Sequence, residues 1–99
     1  MKLNDLYPSR FYKAADFDEP TTVTIDDVVL EELGETKEEK PCLTFKDSEK
    51  MMALNKTNAL VIAAAYGEET NAWKGQKITL FATRVPFGGK LVDAIRVRV

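Results

Sequence analysis

Aromatic and cationic side chains recur near the end of the chain in a pattern that could bind nucleic acid. Phe81 and Phe87 lie in one apolar stretch, and Lys90, Arg96 and Arg98 lie in the next. Aromatic rings stack on unpaired bases while Lys and Arg attract phosphate, so single strands favour this combination. These five residues are the predicted nucleic-acid-binding residues.

A hairpin would place all five on one surface. The Gly88-Gly89 pair between the two stretches is a strong turn signal. It pairs Phe87 with Lys90, so that Phe81 lies opposite Arg96. The opposite face is apolar, and we expect it to belong to the core. That face contains Ile78, Leu80, Ala82, Arg84 and Pro86 on one strand and Leu91, Asp93, Ile95, Val97 and Val99 on the other.

The same surface has a purely structural interpretation. Phe81, Val85 and Phe87 would pack beneath an N-terminal arm that is itself rich in aromatic residues. Arg96 and Arg98 would then be solvated, with their stems covering apolar surface. The sequence leaves both interpretations open.

The residue types in the sequence give little support for catalysis. The chain has no histidine, which excludes Ser-His and Cys-His nucleophilic catalysis and removes the commonest transition-metal ligand. The single cysteine, Cys42, cannot form an intramolecular disulfide, and its strand-like context predicts a core position. The adjacent carboxylates of residues 26–27 and 31–32 would point to opposite faces of a strand. We therefore expect no catalytic residues, no metal, no small-molecule cofactor and no enzyme activity.

Charge is distributed unevenly along the chain. Residues 1–40 contain five Lys/Arg and eleven Asp/Glu, whereas residues 41–99 contain nine and five. A basic part can mark a nucleic-acid surface, but two halves can also neutralise each other. The acidic stretch of residues 26–39 is the competing candidate, a surface that would engage a basic protein partner. No signal segment or membrane-length apolar run occurs, so we expect a cytoplasmic protein without membrane contact.

Turn and cap signals divide the 99 residues into the elements of one domain. They predict strands over residues 21–33, 41–46, 50–54, 76–87 and 90–99, with a bulge at residues 26–27 and a loop over 34–40. A helix over 55–66, capped by Asn55 and followed by Gly67, lies between the third and fourth strands. A short helix over 10–15, capped by Ser9, belongs to a docking arm of residues 1–20.

This order of elements predicts a mainly β fold. The sequence β-β-β-α-β-β, with a bent first strand, matches a five-stranded OB-like Greek-key barrel formed by residues 21–99. A split α+β sheet with the same elements is the alternative. We expect a closed or nearly closed barrel with the helix across one end.

Four stretches resemble small uncharacterised proteins encoded by bacteriophages and prophages. They are residues 5–9 (DLYPS), 13–16 (KAAD), 54–58 (LNKTN) and 73–80 (WKGQKITL). The resemblance implies a bacterial cytoplasm and a role beside replication or recombination genes, but it carries over no functional residues. Our leading hypothesis is a non-enzymatic domain that binds single-stranded DNA or RNA weakly. The alternative is a protein-interaction module.

Overall fold

Five antiparallel strands and one α-helix make up the chain in the computed structural model. The structure describes residues 10–33 and 38–99, with residue 33 described by its backbone alone. The strands are β1 (Thr21–Leu33), β2 (Glu38–Phe45), β3 (Ser48–Ala53), β4 (Lys77–Phe87) and β5 (Lys90–Arg98). Helix α1 (Lys56–Tyr66) connects β3 to β4, and 3₁₀ turns occupy Ala14–Asp16 and Thr70–Trp73. The predicted mainly β fold class and its element order are confirmed.

The strands form one sheet in the order β3-β2-β1-β4-β5, which curls into a half-barrel consistent with an OB-like barrel. Strand β1 is central because its first four residues pair with β4 and its remainder pairs with β2. The register shifts between Ile25 and Asp27, which confirms the predicted bulge. A bulge bends its strand, and this bend lets β1 serve both halves of the sheet.

The barrel remains open between β3 and β5. These two strands are the ends of the sheet and are not paired with each other. Arg10 and Tyr12 lie along the outer edge of β3, where the Tyr12 N–H donates to the Met51 carbonyl at 2.8 Å and the Met51 N–H donates to the Arg10 carbonyl at 2.8 Å. An extended arm therefore occupies part of the position that a closing strand would take.

This pairing corrects the predicted helix over residues 10–15. Residues 10–12 are extended because their backbone groups bond to β3, and only the single 3₁₀ turn Ala14–Asp16 follows. Ser9, its predicted cap, lies outside the described residues. The predicted loop over 34–40 is also shorter than expected, since β2 already begins at Glu38; residues 34–37 are outside the described part.

Helix α1 has the ends that its sequence predicts. The Asn55 side chain accepts a hydrogen bond from the Asn58 N–H at 2.8 Å, which satisfies one of the free amides of the first turn. Gly67 ends the helix with φ of 99°, a conformation that side chains disfavour. Ile62 faces inward and is fully buried, so the helix contributes directly to the core.

Residues from both halves of the sheet build one core. Its buried apolar members are Phe17, Val23, Ile25, Cys42, Leu43, Phe45, Met52, Ile62, Trp73, Ile78, Leu80 and Val97. The prediction that Cys42 is a core residue is confirmed. The Trp73 indole N–H donates to the Gly67 carbonyl at 2.8 Å, so this buried ring keeps its polar atom satisfied.

Among the described residues, no helix combines the length and the apolar character that crossing a membrane requires.

Candidate nucleic-acid interface

The β4–β5 hairpin has the predicted register. Phe87 pairs with Lys90, Phe81 with Arg96 and Thr79 with Arg98. Gly88 and Gly89 form the turn with φ of 59° and 80°. Two successive positive φ angles match the twist of the flanking strands, and glycine adopts them without steric cost.

One face of this hairpin, here called the aromatic–basic face, points away from the core. Successive side chains of a strand point to opposite faces, and Leu80 and Val97 on the other face are buried. The aromatic–basic face consists of Thr79, Phe81, Thr83, Val85 and Phe87 on β4 and Lys90, Val92, Ala94, Arg96 and Arg98 on β5. All five predicted binding residues therefore lie on one surface.

The two aromatic rings on this face differ in their surroundings. Phe81 is half-buried, directly opposite Arg96, and the Arg98 guanidinium carbon lies 5.8 Å from the ring centroid. That distance fits a cation–π contact, which holds the guanidinium over the ring at the surface. Phe87 stands at the tip of the hairpin beside Lys90 and is 75% exposed. The exposed ring is the more accessible stacking platform of the two.

The aromatic–basic face contains three cations and no carboxylate. Within residues 10–33 and 38–99, none of Lys90, Arg96 and Arg98 has an acidic group within 4.0 Å of its charged nitrogens. The acidic residue of β5, Asp93, lies on the opposite face, where it meets Arg84 at 3.4 Å. The cations on the aromatic–basic face therefore keep their charge free to attract an anion.

Two aromatic side chains of the described part of the arm pack with the core. Tyr12 packs with its ring centroid 5.1 Å from that of Phe17 and 5.9 Å from that of Phe45, both buried in the core. Residues 1–9 are the remainder of the arm that the structural interpretation places over this face, and they lie outside the described residues. Tyr12 and Phe17 therefore serve the core, and the turn Ala14–Asp16 between them contacts β4 and β5.

The expectation that the whole opposite face of the hairpin is core is wrong. Ile78, Leu80 and Val97 are buried and Ile95 is half-buried, but the side chains nearer the turn, and Val99 at the far end, are exposed. The exposed members are Ala82, Arg84, Pro86, Leu91, Asp93 and Val99. Strand β1 ends its pairing with β4 at Leu80, so the hairpin projects beyond the sheet that would cover it. Periodicity shows which side faces inward, but not where the core stops.

Sequence reasoning missed the Thr22 hydroxyl, which extends the aromatic–basic face onto β1. Strand β1 pairs with β4 so that Thr22 is opposite Thr79, and their hydroxyl oxygens are 3.3 Å apart. Thr79 in turn lies opposite Arg98. Hydroxyl groups commonly accompany Arg in phosphate contacts. Only the tertiary pairing of β1 with β4 could have revealed this row.

The competing acidic surface lies at the far end of the β1–β2 hairpin. Glu32 is directly opposite Glu39, and both are exposed. Two other acids of this region are paired: Asp27 lies 3.7 Å from the Lys74 ammonium, and Glu31 lies 3.9 Å from a guanidinium nitrogen of Arg10. Among the described residues of this stretch, the acids without an ion pair are Asp26 at the bulge and Glu32, Glu38 and Glu39 at the strand ends.

The acidic side chains and the thiol of the described residues form no metal site. Within these ranges, no three His, Cys, Asp or Glu side chains lie together in a way that could hold a metal ion. Burial raises the pKa of the Cys42 thiol, and the nearby charge of Glu31 raises it further. A thiol so protonated is a poor nucleophile.

Comparison with protein families, with curated proteins and with solved structures gave no match.

Proposed function

We propose that this chain is a non-enzymatic OB-like domain that binds single-stranded DNA or RNA on the aromatic–basic face. Phe81 and Phe87 stack bases, and Lys90, Arg96 and Arg98 contact phosphates. The observation that supports this most directly is the composition of that face: two aromatic rings and three cations, which have no ion pair with any described residue, and no carboxylate. OB-fold domains use a similar pairing of aromatic stacking with positive charge.

The same features predict weak binding without strong sequence preference. Every base has a π-face, so stacking discriminates little between bases. Three cations release at most about three counterions, which gives a shallow salt dependence with a slope of roughly −2 for single strands. The chain also has a net charge of −2, so its acidic first half opposes the approach of phosphate.

A fluorescence titration with a labelled oligonucleotide tests the proposal. We expect affinity to fall linearly with salt on logarithmic axes. Phe81→Ala should cost about 1–3 kcal/mol of binding free energy, because a stacked base loses its ring. Arg96→Ala should weaken binding and flatten the salt slope by about one unit, because one phosphate contact is lost.

A matched control is available on the other face of the same hairpin. Arg84 has the same charge but lies opposite Asp93, away from the proposed ligand. Arg84→Ala should leave the affinity and the salt slope unchanged. An equal loss for Arg84→Ala and Arg96→Ala would indicate attraction by net charge alone. No binding at tens of micromolar protein in low salt would contradict the proposal outright.

We further propose a phage or prophage setting within a bacterial cytoplasm, next to replication or recombination. The support is the resemblance of residues 5–9, 13–16, 54–58 and 73–80 to small phage-encoded proteins. Single strands are exposed during both processes, so a weak and unspecific binder would have its ligand there.

A second candidate function is recognition of a basic protein partner. The observation that favours it is the direct pairing of Glu32 with Glu39, an unfavourable like-charge pair that a basic side chain would relieve. Replacing both with Gln should abolish capture of such a partner while leaving oligonucleotide binding intact or slightly stronger. The two functions are thus separable by the same pair of assays.

A further inference from the structure

The free edge of β5 has backbone groups that point away from β4. The Asn58 side chain identifies this edge, because its amide nitrogen donates to the Ile95 carbonyl at 3.0 Å and its oxygen accepts from the Val97 N–H at 3.2 Å. These are the two bonds that a residue of a neighbouring strand would make. Strand alternation then places the N–H and C=O groups of Leu91 and Asp93 on the same edge.

Those groups have no partner in the structure as described. Across residues 10–33 and 38–99, no hydrogen bond reaches the outward backbone groups of Leu91 or Asp93. The Leu91 side chain beside them is 65% exposed. An unpaired strand edge with an exposed apolar residue is a template for another strand.

A cleft adjoins this edge at the opening between β5 and β3. Its volume is about 370 Å³, and its walls include Tyr12, Ala14 and Met52 on one side and Asp93 and Ile95 on the other. Asn58 lies at its base and joins helix α1 to β5. The cleft is large enough for one bulky side chain that enters next to Asp93.

We propose that this edge is a homodimer interface, in which two copies pair their β5 strands antiparallel about Val92. In that register Leu91 of each copy lies opposite Asp93 of the other. Each of the two Leu91–Asp93 pairs exchanges two hydrogen bonds. The four bonds together use every outward N–H and C=O group of these residues. Leu91 of each copy reaches the mouth of the cleft of the other, so the contact is the same from both sides.

The short length of the free edge favours a second copy of this chain as the pairing strand. Between the Gly88-Gly89 turn and Ile95, whose carbonyl Asn58 occupies, the described edge offers both outward groups of Leu91 and of Asp93. Antiparallel self-pairing about Val92 matches these two residues to each other and leaves neither of them unpaired. Pairing about Asp93 would instead place two carboxylates directly opposite each other, which is unfavourable.

The interface is short, so the dimer is weak. It brings Lys90 diagonally next to Arg96 of the partner subunit on the aromatic–basic side. Like charges at that spacing repel, and salt screens the repulsion. Association should therefore strengthen as salt rises, which is the opposite of the salt dependence expected for nucleic-acid binding. The two proposals are independent and can fail separately.

Sedimentation equilibrium of the full chain without nucleic acid, from about 10 µM to about 1 mM, tests the interface. We expect the average mass to rise from 11.1 kDa toward twice that value. Leu91→Glu should weaken association at least tenfold, because each new carboxylate would face Asp93 of the partner subunit. The control is Leu60→Glu on helix α1, which alters a side chain of similar exposure, 60%, and should change nothing.

Amide hydrogen exchange provides a second readout at the backbone. The Leu91 and Asp93 amides should exchange fast in dilute solution and slowly at high concentration, whereas the Val92 and Ala94 amides, which face β4, should be protected in both. A constant mass of 11.1 kDa at all concentrations would overturn the proposal. So would a Leu91→Glu variant that associates like the parent, or Leu91 and Asp93 amides that are protected in the dilute monomer.

Discussion

The buried thiol of Cys42 couples the stability of the fold to alkaline pH. Its ordinary pKa is 9.0, and burial raises the pKa in the folded chain. Above pH 9 the unfolded thiol loses its proton while the folded thiol keeps it. The folded state then binds more protons, so the free energy of unfolding falls as pH rises.

We expect this part of the alkaline destabilisation to disappear in Cys42→Ala. Urea unfolding of both proteins at pH 7 and pH 10 measures it, because the two proteins differ only at residue 42. The variant is destabilised at pH 7 by its cavity, but the difference from the parent should shrink at pH 10. A constant difference across this range would show that the thiol ionises alike in both states.

Single residues were predictable where a local signal determines them. The position of Phe81 opposite Arg96 follows from the Gly88-Gly89 turn, and the burial of Cys42 follows from its apolar strand. Asn58 was missed, although it is the one buried polar side chain among the described residues. A polar residue in the first turn of a helix normally faces water. Only the tertiary position of β5 shows that its amide has backbone partners there.

The link between helix α1 and strand β5 depends on that amide. Asn58→Ala would leave the Ile95 carbonyl and the Val97 N–H without their bonds at a buried site. We expect a loss of about 1–3 kcal/mol of unfolding free energy for such unsatisfied groups. Urea unfolding measures it, and Asn71→Ala, at an exposed position of the turn Thr70–Trp73, is the control, with no change expected. A loss of equal size in the two variants would contradict the link.

Elements with strong end signals were predicted well. The bounds of β1 and the ends of helix α1 match because capping and turn residues mark them. The start of β2 was missed because residues 38–40 are charged, and charge favours a loop. Their pairing with β1, from Leu33 opposite Glu38 onward, overrides that local preference.

For the whole molecule, the arm substitutes for the missing contact between β3 and β5. Phe17 is 7% exposed and packs against Tyr12 beside the core. Phe17→Ala should cost about 3–5 kcal/mol of unfolding free energy, a large share of a typical total of about 5–15 kcal/mol.

Thermal unfolding followed by circular dichroism measures this effect. Phe87→Ala is the matched control, because that ring is exposed and its removal should leave the melting temperature unchanged. An unchanged melting temperature for Phe17→Ala would mean that the arm does not hold the molecule together. The OB-like connectivity was predictable from the element order. The opening was not, since sequence patterns do not show which strand edges meet.

The bent first strand also has a consequence for the rate of folding. The β2–β3 and β4–β5 hairpins close over a few residues, and such turns form within about 1–10 µs. Thr21–Thr24 pair with residues 77–80, so their partners are 53 to 59 positions away along the chain (77 − 24 and 80 − 21). Closing that long segment costs entropy before the pairing returns any energy. We therefore infer that the pairing of β1 with β4 limits the folding rate. The four residue pairs between these strands then determine how long the two halves of the sheet remain separate.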